Sequence, residues 1–289
     1  MATVSDELQD VGLIGIGLLG SALAERLLQA GLTVHGYDTS MAALDSFAAM
    51  GGYSLDNVKS LPFDAGTIVL CLPNSTVVEQ VLTTIQPHLQ PDTVIIDTTT
   101  GDPRRTQVLE ETLRNINVEL VDATVLGSSN VTRRGDAVLM VGASSTAFDR
   151  CQPILQAISN TVHHLGPTGR GQEMKLVANL VLGLNRAALA EGLHFARNLG
   201  LDLNTVLEIL MSGAASSRVM DAKGLKMIHQ EFTPEARLSQ HLKDVRLILS
   251  HAETAETHLP ISELHRVLLQ RVQENGGGDL DNSAIIQAW

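Results

Sequence analysis

The chain has 289 residues, 44% hydrophobic and 18% charged, which is enough apolar material for a packed core and excludes wholesale disorder. Lys and Arg number 20 against 32 Asp and Glu, and the formal charge of -12 repels phosphate backbones and anionic lipid, arguing against nucleic-acid or membrane-surface partners. Two cysteines, Cys71 and Cys151, make neither a disulfide framework nor an unaided thiolate metal site and read as ordinary buried thiols.

The opening segment MATVSDELQD is acidic and polar, unlike the basic and then apolar start of a secretory signal. No run approaches bilayer length, because LVANLVLGL from Leu176 is short and interrupted by Asn179. A soluble, cytoplasmic protein is expected. Length favours two domains, at roughly 100–200 residues per domain.

Residues 11–16 (VGLIGI) form the first predicted strand. Gly15-Ile16-Gly17-Leu18-Leu19-Gly20 follows, matching G-x-G-x-x-G between that strand and the helical stretch SALAERLLQAG. In this place the first Gly permits a tight turn, the second lets backbone N–H groups approach a pyrophosphate, and the third packs helix against strand. The helix N-terminus adds a positive dipole, so the segment reads as a dinucleotide site. A second strand, residues 32–37, ends before Asp38, 18 residues after Gly20 and close to the ~20 expected of the carboxylate that binds an adenosine ribose. That carboxylate repels a 2′-phosphate, and Thr39 and Ser40 bring no cation, so NAD is favoured over NADP. Asp38 reads equally as a turn residue or helix cap.

Further strands are predicted at residues 67–72, 93–97, 118–123, 137–142 and 161–165, alternating with helical stretches. Several are continuously apolar, as parallel strands covered on both faces are. After Gly171 the β-branched clusters give way to Leu- and Ala-rich helical patterns. Gln172 to Gly200 is 29 residues, about 43 Å of helix ending on a Gly C-cap. The expected architecture is an α/β Rossmann-type doubly wound domain over residues 1–168 and an all-helical domain over 169–289, joined by that long helix. The cluster Gly166-Pro167-Thr168-Gly169 marks the boundary.

Ten histidines suggest a metal, but adjacent His163 and His164 point to opposite faces of a strand. No His pair has the helical spacing of a zinc site, and no metal is expected. A G-x-S-x-G elbow is also missing, which argues against Ser-His-Asp hydrolysis.

Four segments join the glycine turn to give a resemblance covering nearly the whole chain. They are Leu72-Pro73-Asn74-Ser75; Asp97-Thr98-Thr99-Thr100-Gly101-Asp102-Pro103; Gly166-Pro167-Thr168-Gly169-Arg170-Gly171 with Lys175 and Asn179; and Phe232 with Lys243-Asp244. Their kind and order resemble the β-hydroxyacid dehydrogenase family, which includes 3-hydroxyisobutyrate dehydrogenase, tartronate semialdehyde reductase and 6-phosphogluconate dehydrogenase. The resemblance implies that Leu72 and Pro73 lie beside the nicotinamide ribose, that Thr100 contacts the cofactor, and that Lys243 closes over it. It also implies that Lys175 and Asn179 are the catalytic pair. On spacing alone Lys175 is more readily a solvated helical lysine and Asn179 a locally bonded polar residue.

Where the family writes Asp-Ala-Pro-Val-Ser-Gly-Gly for its substrate-carboxylate loop, this chain has Asp122-Ala123-Thr124-Val125-Leu126-Gly127-Ser128. Leu126, Gly127 and Ser128 are the candidate substrate residues. Leu126 makes such a pocket narrower and more apolar, whereas backbone N–H groups at Gly127 and Ser128 preserve anion binding. Ser128, Ser129 and Asn130 read equally as new polar contacts or a solvated turn.

Alcohol oxidation needs a hydride acceptor and a group that takes the hydroxyl proton. Lys175 and Asn179 stand at i and i+4 on one helix face, and both can reach one hydroxyl. A lysine base must be drawn below its ordinary value of about 10.4 by burial or neighbouring cations. The apolar residues Leu176, Val177, Leu180 and Val181 are expected to supply the burial. The reading is an NAD-dependent oxidoreductase of a small β-hydroxyacid, with Lys175 as general acid/base, acting as a homodimer or homotetramer. Alternatives are an NADPH-dependent semialdehyde or imine reductase of the same superfamily and a non-catalytic nucleotide-binding protein. The imine version is disfavoured because such reductases typically lack this Lys.

Overall fold

The computed structural model describes residues 10–289; the polar segment Met1–Gln9 of the signal-peptide reading lies outside the described residues. The chain divides into two compact units, one ending at Lys175 and one running Leu176–Trp289.

In the first unit the strands are β1 (Asp10–Ile14), β2 (Thr33–Tyr37), β3 (Tyr53–Ser54), β4 (Thr67–Leu70), β5 (Val94–Asp97), β6 (Glu119–Leu126), β7 (Val138–Gly142) and β8 (Thr161–His164). They form one sheet in the order β3-β2-β1-β4-β5-β6-β7-β8. Pairing is parallel except between β6 and β7. This is a doubly wound Rossmann-type sheet whose order reverses direction beside β1, where the chain next places β4 and where such folds bind ligand. Residues Ile68 to Leu70 and Ile95 to Ile96 are almost wholly buried, as strands covered on both faces require. The helices are α1 (Leu18–Gln29), α2 (Met41–Ala49), α3 (Ser75–Ile85), α4 (Pro103–Arg114), α5 (Ser129–Arg133) and α6 (Ser145–Ile158). Local chemistry starts them: Ser40, Asn74, Asp102, Ser128 and Ser144 each accept a backbone N–H in the first turn of the helix that follows.

Every predicted strand is present, with ends shifted by at most three residues. The sequence reading omitted β3, a two-residue exposed edge too short to carry a period.

One helix, α7 (Arg170–Asn198), begins in the first unit and continues into the second. The second unit adds α8 (Leu203–Ser212), α9 (Arg218–His229), α10 (Leu238–Thr254) and α11 (Pro260–Glu274). Its own core gathers Leu189, Leu193, Met227, Leu242, Leu269 and Ile285, all at most 2% exposed. Contrary to the reading that no run reaches bilayer length, α7 is long and apolar enough to cross a membrane by length and composition. A core helix passes the same test, and α7 carries buried Asn179, whose amide is bonded to Asp244 as a lipid-facing residue could not be.

Candidate active site

The glycine turn is built as its pattern demands. Gly15 has φ +94°, and a Cβ there would stand 2.2 Å from the Cys71 carbonyl oxygen. A Cβ on Gly20 would fall 2.0 Å from the Gly15 carbonyl oxygen, so only Gly lets α1 come this close. Gly17 differs, because a Cβ there would meet nothing within 4 Å and its φ of -73° suits any residue. No protein atom asks for glycine at this position, and the backbone there stands open to a ligand. Gly17 is also the N-cap of α1 and offers no side-chain acceptor, leaving the first-turn N–H groups of Leu18, Leu19 and Gly20 for an anion.

Asp38 stands at the mouth of this turn. Its carboxylate accepts from Ile16 N at 2.6 Å and from Ser40 N at 2.8 Å, so the turn-residue reading is realised. The residues present therefore fit a nicotinamide dinucleotide: an uncapped helix N-terminus, a backbone open at Gly17, and a fixed carboxylate at the end of β2.

The loop after β5 is pinned from several sides. Leu72 N donates to Thr99 Oγ1 at 3.0 Å, Thr98 Oγ1 donates to Leu70 O at 2.7 Å, and Asp102 N donates to Ser75 Oγ at 2.8 Å. Thr100 is half-buried and Pro73 exposed, so both stand at the surface of the first unit. Asp97 closes β5; burial pushes its carboxyl up to about 6, although Thr99 N donates to it at 2.9 Å.

Beside Asp97 in register lies Asp122 of β6. Wholly buried, it accepts from Gly169 N at 2.6 Å and Gln172 N at 2.7 Å, making it the cap of α7 from 47 and 50 residues away. Burial pushes its carboxyl up to about 8, against the pull of those two donors. Gly142 and Gly171 leave room for it, since a Cβ on either would stand 2.4 and 2.7 Å from its carboxylate oxygens.

One turn into α7, the Lys175 amine donates to Val125 O at 2.6 Å, immediately before Leu126-Gly127-Ser128. Lys175 is half-buried. The expected apolar surround is only partly there: Leu176 is 4% exposed, but Val177 and Val181 are 55% and 51% exposed, because those positions turn to another flank of the helix. Gly127 is exposed with φ +159°, and Leu126 is half-buried. Ser128 caps α5, its Oγ accepting from Val131 N at 3.4 Å, and Ser129 is buried, so these two serines form a helix start.

In the second unit Asn179 is buried and its amide donates to Asp244 Oδ2 at 3.0 Å. The Lys243 amine pairs with Asp244 Oδ1 at 3.0 Å. Sequence reasoning named Lys243 and Asn179 but missed that Asp244 joins them. Their separation of 64 residues hid it; the Lys-Asp dipeptide was the signal.

Both cysteine thiols are pushed up to about 12 by burial, so neither is a ready nucleophile. Among the described residues no three His, Cys, Asp or Glu side chains converge on a metal position.

A mostly parallel doubly wound sheet with this turn is the scaffold of a dinucleotide-binding protein. The NAD-binding domain model of 6-phosphogluconate dehydrogenase matches residues 10–166, and the NAD-binding model of NADP-dependent 3-hydroxyisobutyrate dehydrogenase matches residues 169–289. The chain is 31% identical over 283 residues to a 2-(hydroxymethyl)glutarate dehydrogenase of Eubacterium barkeri, covering 96% of this chain and 94% of that one. It is 29% identical to a 2-hydroxy-3-oxopropionate reductase of Escherichia coli, covering 96% of each. A 3-hydroxyisobutyrate dehydrogenase structure from Salmonella typhimurium has the same fold, with a TM-score of 0.91 at 24% identity over 97% of this chain and 99% of that one. The chain belongs to the β-hydroxyacid dehydrogenase family and is an NAD(P)-dependent oxidoreductase of hydroxyacids.

Proposed function

We propose that the protein interconverts a small β-hydroxyacid and its oxo or semialdehyde form, with Lys175 as the general acid/base. The observation that carries this is the 2.6 Å bond from the Lys175 amine to Val125 O, which brings the amine to the edge of the candidate substrate loop. When bound, the nicotinamide supplies the hydride acceptor or donor. In the oxidative direction the neutral Lys175 amine takes the hydroxyl proton as the C–H bond gives up its hydride and the C–O bond becomes a carbonyl. In reduction the ammonium returns that proton to the forming alkoxide. Asn179, four residues further along the helix, is the second polar group of the pair, its amide oriented by Asp244. Backbone N–H groups at Gly127 and Ser128 bind the substrate carboxylate, and Leu126 limits its width.

NAD is the proposed cofactor over NADP. Asp38 is held by two backbone donors at the ribose end of the turn, where a 2′-phosphate would meet a fixed negative charge. Gly15, Gly17 and Gly20 with Leu18 and Leu19 hold the pyrophosphate, and Leu72, Pro73 and Thr100 line the nicotinamide side of the first unit. We further propose a cytoplasmic homodimer or homotetramer. Phe195, Ile209, Leu225, Ile261 and Leu264 are 55–65% exposed, an apolar load that fits burial against further copies.

The experiment is a rate panel of C3 to C6 hydroxyacids, aldonates and β-hydroxy amino acids with NAD and with NADP. Turnover of at least one hydroxyacid, faster with NAD, is expected. Tight NADH binding with no turnover across the panel would overturn the catalytic reading.

A further inference from the structure

We infer that Gln172 is a positioning residue for the reaction, its buried carboxamide setting where the Lys175 amine stands relative to the Thr99–Gly101 loop. The inference rests on the assignment of Lys175 as the proton-transfer group.

Glutamine in the first turn of a helix ordinarily faces water, yet Gln172 is 0% exposed. Burying a primary amide without partners is costly, and here each end has one. Its Oε1 accepts from Gly101 N at 2.8 Å, and its Nε2 donates to Thr99 O at 2.8 Å. Its backbone N–H goes to Asp122 Oδ2 at 2.7 Å. Thr124 Oγ1 donates to Gly171 O at 2.9 Å, which fixes the preceding residue as well. One side chain thus spans from α7 to both sides of Thr100, and through Thr99 Oγ1 it is tied to Leu72 N. Packing around the strut is close: a Cβ on Gly101 would stand 2.5 Å from Ser75 Oγ.

Lys175 follows three residues later, about 4.5 Å up the helix and on an adjoining flank. Any shift of the first turn of α7 against the loop after β5 therefore moves the amine by a similar amount, and a misplacement of ~1 Å can cost ~100-fold in rate. Sequence spacing alone shows none of this, because the partners are 71 and 73 residues away.

The test compares wild type with Gln172→Met, which keeps the shape and removes both bonds, and Gln172→Glu, which replaces the donor facing Thr99 O by an acceptor. In the enzyme without ligand, amide hydrogen exchange should quicken at least tenfold at residues 98–103 and 170–176 in Gln172→Met and stay unchanged in β1. With the best hydroxyacid of the panel, kcat should fall tenfold or more while the Kd for NADH changes by less than threefold. Protonation makes Glu an isostere of Gln, so the ratio of Gln172→Glu to wild-type kcat should climb as the pH falls, which a merely space-filling side chain would not produce. Unchanged exchange in both segments, or a fully active folded Gln172→Met, overturns the inference. So does a fall in activity matched by an equal rise in the NADH Kd. Lys175→Ala is run alongside: if it stays active, the assignment of Lys175 fails first, whereas an inactive Lys175→Ala beside a fully active Gln172→Met defeats the strut alone.

Discussion

At the residue scale, two glycines of one turn carry different information. Gly20 is required by the protein, since a methyl group would sit 2.0 Å from the Gly15 carbonyl oxygen, whereas no protein atom crowds Gly17. Gly20→Ala should therefore lower the unfolding temperature of the first unit by several degrees, as thermal melts would show. Gly17→Val should melt like wild type but bind NADH at least tenfold more weakly by fluorescence titration; unaltered affinity would contradict the cradle. Asp38→Ala should narrow the preference for NAD over NADP, read as the ratio of kcat/KM values. Because the carboxylate also anchors Ile16 N, the variant should weaken binding of both cofactors somewhat. Asp38 shows how residue-scale reading works: its distance from Gly20 suggested the ribose and its position a turn, but that it ties Ile16 N to Ser40 N needed coordinates.

At the element scale, what the sequence disclosed and what it hid divide by range. Strands such as Ile68 to Leu70 and the α7 pattern were legible because a continuous apolar run or a helical period is written in neighbouring residues. Two-residue β3 had no period to read, and the antiparallel turn of β7 against β6 depends on pairing across a connection that holds α5. The cap of α7 was invisible for another reason: its acceptor, Asp122, comes from β6, and only the absent side chains at Gly142 and Gly171 hinted that something large fits there. Asp122→Ala leaves the buried Gly169 and Gln172 N–H groups unpaired, at about 1–3 kcal/mol each. Urea unfolding should report a loss on the order of 3 kcal/mol or more for the first unit, with exchange fastest at the start of α7. The serines after Leu126 were ambiguous in sequence because the same Ser-Ser-Asn suits a binding loop and a helix start; coordinates show Ser128 as the latter.

At the scale of the whole molecule, buried carboxyls give the two units opposite responses to pH. Burial raises Asp97 to about 6 and Asp122 to about 8 in the first unit. Their folded forms hold protons more tightly than the unfolded chain, so the stability they contribute is full below about pH 4 and is lost as the pH rises through 6 and 8. In the second unit Asp281 is drawn down to about 2, where Lys223 at 3.0 Å and Ser283 outweigh its burial. Its contribution is present above about pH 4 and lost as the pH falls toward 2. Denaturant midpoints followed separately should thus fall for the first unit from pH 5 to 8, less steeply in Asp97→Asn. The second unit should weaken only on the acid side. A common pH profile for both units, unaltered in Asp97→Asn, would contradict this distribution of charge.

The most direct test of the account is the rate of the hydride step in Lys175→Met, measured in a single turnover by the rise of NADH absorbance after enzyme and NAD are mixed with the best hydroxyacid substrate. With NADH affinity within threefold of wild type, the step should slow by about 10²–10⁴-fold, the range expected for loss of a positioned proton acceptor. A rate within threefold of wild type would contradict the account, because the alcohol would then be giving up its proton to some other group.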